Sequence, residues 1–212
     1  MSLKHFIIAI VLAGFSFAAQ AAAQEAALQN EVSGTLGRIF ISNRGIIGAP
    51  SYDPNLRYGK GLTFEIDYAR RVLDGPFWRV ALEVPFVVNV DEDIHAAQNV
   101  VPGNYSAIFV TPSARLNLFP HQGVSPWVSF GGGFSHFGEG STLEFGGTNS
   151  LKNGNTTGVL QLGIGLDVKL IGRFRLRGEA RDFWAGMPNF GVNTTSSRQH
   201  NILVGAGLAW RF

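Results

Sequence analysis

Apolar and polar positions trade places with a period of two along most of the chain. The clearest run is 155–170, where Leu160, Leu162, Ile164, Leu166 and Val168 alternate with Gln161, Gly163, Gly165, Asp167 and Lys169. In 60–71, Leu62, Phe64, Ile66 and Tyr68 alternate with Thr63, Glu65, Asp67, Ala69 and Arg71. In 77–88, Trp78, Val80, Leu82, Val84 and Phe86 oppose Arg79 and Glu83; in 104–119, Ile108, Val110, Ala114, Leu116 and Leu118 oppose Thr111, Ser113, Arg115 and Asn117. The segment 173–183 sets Phe174, Leu176, Gly178 and Ala180 against Arg173, Arg175, Arg177, Glu179 and Arg181. The segment 199–212 sets Ile202, Val204, Ala206, Leu208, Trp210 and Phe212 against Asn201, Gly205, Gly207 and Arg211. Such alternation marks a strand whose two faces meet different surroundings. Two further strands, 32–41 and 126–137, are less regular. Arg38 shares a face with Leu36 and Phe40, and Gly131, Gly132 and Gly133 loosen the second. Pro85 and Pro112 fall inside strands, where each removes a ladder donor and predicts a local bulge.

The connections have their own rhythm. Segments 43–59, 89–103, 138–154 and 184–198 carry loop chemistry, whereas Asp74-Gly75-Pro76, 120–125 and Gly172 make short turns. Long connections alternate strictly with short ones, as in a transmembrane barrel with periplasmic turns and extracellular loops. Aromatic residues gather at strand ends: Tyr58, Tyr105, Phe137 and Trp184 near the long loops; Tyr68, Trp78, Phe119, Trp127, Trp210 and Phe212 near the short turns. They predict two interfacial girdles. The expected fold is all-β: an eight-stranded antiparallel up-and-down transmembrane β-barrel with four long extracellular loops.

Residues 1–23 read as a secretory signal peptide, with Lys4 and His5 before an apolar core and Ala21-Ala22-Ala23 as a small-residue cleavage site. Residues 24–212 are then a single outer-membrane barrel domain. No later apolar run approaches the ~20 residues of a transmembrane helix, so a chain inserted here has to be a closed barrel. The absence of Cys excludes disulfides, thiol catalysis and cysteine metal sites. Lys and Arg number 17 against 15 Asp and Glu, a balance that offers no surface for nucleic acid.

Alternation does not say which face is inside. A soluble lipocalin-like barrel would turn the apolar face inward around a ligand. The export signal, the paired girdles and the loop rhythm favour the membrane, with the polar face inward. Leu208, Trp210 and the terminal Phe212 resemble the carboxyl-terminal assembly signal of bacterial outer-membrane barrels, which implies the barrel-assembly machinery as a partner. The chain as a whole resembles the small eight-stranded outer-membrane barrels, such as the transmembrane domain of outer-membrane protein A and the opacity-protein-like barrels. That resemblance implies a monomer in the cell outer membrane, in contact with outer-membrane lipid and lipopolysaccharide. No peptidoglycan-binding domain is expected after Phe212.

The chemistry is sparse, and neither a catalytic nor a cofactor site is read. A lipid A acyl hydrolase needs Ser, His and a carboxylate in reach of one another. The nearest set is Ser135, His136, Glu139 and Ser141, but Ser135 and His136 are neighbours on a strand and face opposite ways. Asp91, Glu92, Asp93 and His95 offer oxygen ligands suited to a hard cation, yet adjacent loop acids are usually just solvated. The expected role is a structural or surface-interaction barrel with a side-chain-plugged lumen, with a narrow passive pore for small solutes and a lipid A-modifying acyl hydrolase as the alternatives. The plug is expected from Glu65, Asp67, Arg71, Arg79, Glu83, Arg115, Asp167, Lys169, Arg175, Arg177, Glu179, Arg181 and Arg211. A tight turn at Gly172 puts Asp167 opposite Arg177, and glycines 163, 165, 205 and 207 leave room beside the long charged side chains. Arg44, Arg57, Lys60, Lys152 and Arg198 flank the long loops and are expected to meet lipopolysaccharide phosphates.

Overall fold

The computed structural model describes residues 28–150 and 154–212, so the expected signal peptide and Lys152 lie outside the described residues. Eight barrel positions are filled by β1 (Asn30–Ile41), β4 (Leu62–Asp74), β5 (Trp78–His95), β6 (Asn104–Val110) with β7 (Ser113–Leu118), β8 (Val124–Glu139), β9 (Asn155–Lys169), β10 (Phe174–Gly186) and β11 (Arg198–Arg211). Two short strands, β2 (Arg44–Gly45) and β3 (Asn55–Tyr58), lie in the first long loop. Neighbours in sequence pair antiparallel around the ring, and β1 closes it against β11. The terminal residue takes part in the closure: Phe212 N donates to Asn30 O at 2.8 Å, and Asn30 N donates back at 2.9 Å.

The two prolines behave differently from expectation. Pro112 splits one strand into β6 and β7, but the register is the same on either side of it, Phe86↔Val110 before and Glu83↔Ser113 after. Each proline loses a donor and keeps its acceptor in the ladder: Thr111 N donates to Pro85 O, and Gly132 N to Pro112 O. The register shifts fall instead between Arg71 and Leu73 and between Asn89 and Glu92, where strands leave the membrane band. Past the second shift β5 continues to His95, into the segment expected to be loop.

The faces are those of a membrane barrel. Ile66, Phe130, Leu162 and Ile164 point outward and are each at least 60% exposed, while Asp167, Arg177 and Arg181 are completely buried. A soluble protein has the opposite order. The lipocalin-like alternative is therefore excluded, and hydrocarbon is the solvent of the outer face.

The aromatic girdles divide. On the periplasmic side Tyr68, Trp78, Phe119, Trp210 and Phe212 are exposed as expected. Trp127 is not among them; it is buried in the lumen. Of the four aromatic residues expected on the outer side, Trp184 alone faces outward. Tyr105 and Phe137 are buried and Tyr58 packs against them. Parity decides this: these residues lie an even number of positions from inward-facing neighbours, and strand-end location alone cannot tell the two faces apart.

Candidate functional site: a lumen closed on two levels

In the periplasmic half, four arginines and six carboxylates interlock. The turn at Gly172, which adopts a positive φ of 57°, sets the β9–β10 register so that Asp167 lies opposite Arg177, Gly165 opposite Glu179 and Gly163 opposite Arg181. Across the other edge of β10, Gly207 faces Arg177 and Gly205 faces Glu179. Arg177 holds Asp167 with two parallel bonds, Nε to Oδ1 at 2.8 Å and Nη2 to Oδ2 at 3.0 Å. This fork geometry is the strong form of the pair. Arg181 reaches Glu83 at 2.7 Å, Glu65 at 3.1 Å and Glu179 at 3.3 Å. Arg115 reaches Glu83 at 3.1 Å and Asp67 at 3.5 Å.

The hub of this network is a residue that the alternation did not single out. Glu31 accepts from Arg115 at 2.5 Å, Arg177 at 2.6 Å and Arg211 at 2.7 Å. It sits two positions before Ser33 on the inward face of β1, and Ser33 itself accepts from Arg177 Nη1 at 2.9 Å. The signal was present in the parity of β1, but the muddle around Arg38 hid it. The structure places Arg38 outward, at the top of the strand.

A second unforeseen member is Trp127. Its indole lies beneath the guanidinium carbons of Arg115, Arg177 and Arg181, at 5.6, 5.4 and 5.0 Å from the ring. Its Nε1 donates to Asp167 Oδ1 at 3.3 Å. A cation over an indole face is favourable, more so where water is excluded. The ring fills the space beside Gly165, where any Cβ would run into it. On the far side the cause is different: a Cβ on Gly207 would strike the backbone oxygen of Gly34 on β1. These glycines make room for an indole and for a close strand approach rather than for charged side chains.

The remaining expected members stand at the periplasmic rim. Arg71 and Arg79 both bind Asp74, at 2.8 and 3.1 Å. Burial works against ionisation of Asp74, but the Arg79 hydrogen bond and the charges of Arg79, Arg71 and His121 outweigh it and hold the carboxyl below its usual range. Arg175 donates to Pro120 O at 3.1 Å. Lys169 is exposed at the end of β9, because the strand leaves the barrel there, and so it is not part of the buried plug.

The outer half of the lumen holds an apolar core, set among buried polar side chains such as Thr63, Asn89, Ser135, Gln199 and Asn201. Ile39, Val87, Phe109, Phe137, Phe183 and Leu203 are all fully buried. Phe109 stacks on Phe183 at 4.8 Å and meets Phe137 edge-on at 6.0 Å. Tyr105 and Phe190 continue the stack at 5.3 Å, toward the loops. Between the two levels Ser129 and Gln161 form a polar seam, their side chains hydrogen-bonded at 2.9 Å with the Gln161 amide oxygen accepting from the Ser129 hydroxyl.

The other chemical sets stay apart. Ser135 shares a hydrogen bond with Thr157 inside, and His136 with Thr156 outside, so the two point to opposite faces. Glu92 turns inward to accept from Gly61 N and Asn89, while His95 turns to Glu144 at 3.0 Å. Of the loop cations, Arg57 is taken up by Asp53 at 2.9 Å, and Arg44 is half-buried in the loop with β2. Lys60 and Arg198 face outward, over the rings of Phe40 and Trp184.

Residues 9–212 match the outer membrane protein beta-barrel domain family. The chain belongs to this family. Its location is therefore the outer membrane, and its ring of eight strands is the family's architecture. No curated protein matches it by sequence. Among solved structures it is similar to Neisserial surface protein A, at 15% identity over 86% of this chain and 97% of that one, with a TM-score of 0.56. It is also similar to the outer membrane protein AlkL in lipid bilayers, at 15% identity over 87% and 90% of the two chains, with a TM-score of 0.53. At such identities the likeness is one of fold.

Proposed function

We propose that this barrel is a non-enzymatic surface protein whose lumen does not conduct and whose ordered outer loops serve interaction outside the cell. The observation that carries the reading is the double closure. An ion entering from the periplasm meets the arginine–carboxylate plug, and beyond it a packed aromatic core in which buried polar side chains such as Ser135, Gln199 and Asn201 are already bonded to protein partners. Eight strands leave an interior that side chains can fill, and both halves are filled here.

The loops support the second part. Glu144 accepts from Ala96 N at 2.8 Å as well as bonding His95. Ile46 bridges to Thr194 and Pro102 to Leu143, so the long loops are tied to one another. On this tied cap Ile47, Tyr52, Val100 and Phe145 remain exposed, outside the lipid. Apolar side chains held at ordered loop tips are a surface that recognition uses. The test is planar-bilayer conductance of the refolded protein. No steady conductance is expected, and a large, stable open level in the unmodified chain would return the pore reading to first place.

A further inference from the structure

The inward face of the barrel carries two alanines among its long charged residues. Ala69 on β4 stands opposite Glu31 on β1, and Ala81 on β5 stands opposite Arg115 on β7. Both alanines are buried. Their short side chains leave a cavity of about 20 Å³ at the periplasmic end of the lumen. Its charged wall is one-sided: Arg71, Arg79, Arg115 and Arg211 line it, with Glu31 as the one carboxylate.

Two donors in this wall have no acceptor among the described residues, Asn117 Nδ2 and Arg211 Nη1. Both side chains are more than nine-tenths buried and both line the cavity. Asn117 Oδ1 accepts from Arg115 Nε at 3.2 Å, which fixes the amide and leaves Nδ2 as the open donor. Arg211 spends Nε on Glu31 Oε2 at 2.7 Å, and its Nη2 lies 3.7 Å from Asp167. The buried acceptors of the wall are engaged in turn. Glu31 takes Arg115, Arg177 and Arg211, and Asn117 Oδ1 takes Arg115. A dry site that offers donors and positive charge, with its own acceptors taken, is built for an acceptor that is itself an anion.

We propose that the periplasmic end of the lumen binds one halide ion, chloride, between Asn117 Nδ2 and Arg211 Nη1. Size selects it. The cavity is little larger than the ~10–15 Å³ that admits one water, so a halide fits, whereas phosphate, sulfate and carboxylates do not. Charge separates it from water. A water could accept from both donors, but its own hydrogens would point at guanidiniums. A halide only accepts, and its charge gains most where solvent is scarce. The site is reached from the periplasm and is independent of whether the outer loops bind a partner.

The test is reversible urea unfolding of the refolded full chain in lipid vesicles at constant ionic strength. Chloride replaces gluconate, an anion too large for the cavity. Above the dissociation constant, one bound ion lowers the wild-type unfolding constant about tenfold for each tenfold rise in chloride. Asn117→Asp puts an acceptor oxygen where Nδ2 stands, so it repels the halide and takes its place beside Arg211. That variant, folded by heat-modified gel mobility, should lose the chloride dependence. Arg57→Gln, whose cation pairs with Asp53 in an outer loop, should keep it. Wild-type crystals soaked in bromide should show one anomalous peak in contact with Asn117 and Arg211. The wild-type slope and the bromide peak need no variant. A wild type without a chloride slope, an Asn117→Asp protein with the wild-type slope, or water alone at the site in bromide-soaked crystals overturns the proposal.

Discussion

Removing Arg177 should be among the most damaging single changes in the lumen, and the geometry says why and by how much. Arg177→Ala deletes both bonds to Asp167, one to Glu31 and one to Ser33. Glu31 keeps two guanidinium partners, Arg115 at 2.5 Å and Arg211 at 2.7 Å. Asp167 does not fare as well. It keeps only the Trp127 N–H at 3.3 Å and a distant Arg211 at 3.7 Å. The cost is therefore that of one buried carboxylate stripped of its main partner, about 3–5 kcal/mol. Replacing both members should recover much of it, since an ion pair exchanged for a neutral pair of similar volume is often close to neutral. Asp167→Asn with Arg177→Leu should then be more stable than Arg177→Ala by about 2 kcal/mol, the remainder being the contacts to Glu31 and Ser33 that neither substitute restores. The assay is reversible urea unfolding in lipid vesicles, followed by tryptophan fluorescence. If the single and double variants lose the same stability to within about 0.5 kcal/mol, the residues are uncoupled and the network is only a crowd of charges.

Glu31→Gln should cost more than Asp167→Asn in the same assay, because three arginines converge on Glu31 and one serves Asp167 directly; the reverse order would remove Glu31 from the hub. On the lipid face, Ile164→Arg should cost ~2–4 kcal/mol, and Leu162→Arg clearly less, since Leu162 lies directly opposite Asp182 in the β9–β10 ladder; equal costs would mean that Asp182 does not reach across. Burial raises the Glu92 carboxyl above its usual range, the Asn89 and Gly61 hydrogen bonds oppose this, and Asp93 and Asp91 add to the rise. Its contribution to stability is thus complete below the unfolded carboxylate value of about 4.3 and is lost as pH rises through the higher folded value. Glu92→Gln keeps an acceptor for both donors, so it should flatten that limb and be the more stable form at pH 8; a parallel pH profile would count against it. Deleting Phe212 opens the two backbone bonds to Asn30 that complete the ring, and outer-membrane levels of the shortened chain should fall while its passage across the inner membrane is unaffected.

What could be read from the sequence follows the alternation closely. Where the inward face is polar, as along β9, β10 and β11, the strands, the faces and even the register follow from Gly172 and a count by twos. Where the inward face is apolar the signal fades. In β5 the run Val84, Pro85, Phe86, Val87, Val88 has apolar side chains on both faces, one toward lipid and one toward Phe109 and Phe183, and a period of two cannot be seen in a uniform stretch. The outer end of β5 is hidden for a different reason, since Asn89, Asp91, Glu92 and Asp93 read as loop, and Tyr105 and Phe137 read as girdle because a place at a strand end does not tell the two faces apart. Trp127 was lost for a related reason: an indole near a turn suits an interface or a lumen equally well. Its inward parity, shared with Ser125 and Ser129, was the one distinguishing mark.

The division of the lumen into a charged half and an apolar half also answers a problem of export. A strand that is apolar on both faces along its whole length begins to approach a transmembrane helix in hydropathy, and a chain with eight such segments risks arrest in the inner membrane. Glu65, Asp67, Arg79, Glu83, Arg115, Asp167, Arg177, Glu179 and Arg181 interrupt the strands at every second or fourth position, and one ionised residue at a helix centre opposes insertion by ~2.5–3.5 kcal/mol. Once the barrel closes, the same charges neutralise one another at 2.5–3.5 Å. The apolar level is confined to the outer half, where Val84, Phe86, Val87 and Val88 make a run far shorter than a membrane span. A barrel this narrow has to fill its interior with something. Filling it half with ion pairs keeps the strands polar while they travel and leaves few unpaired charges when they arrive.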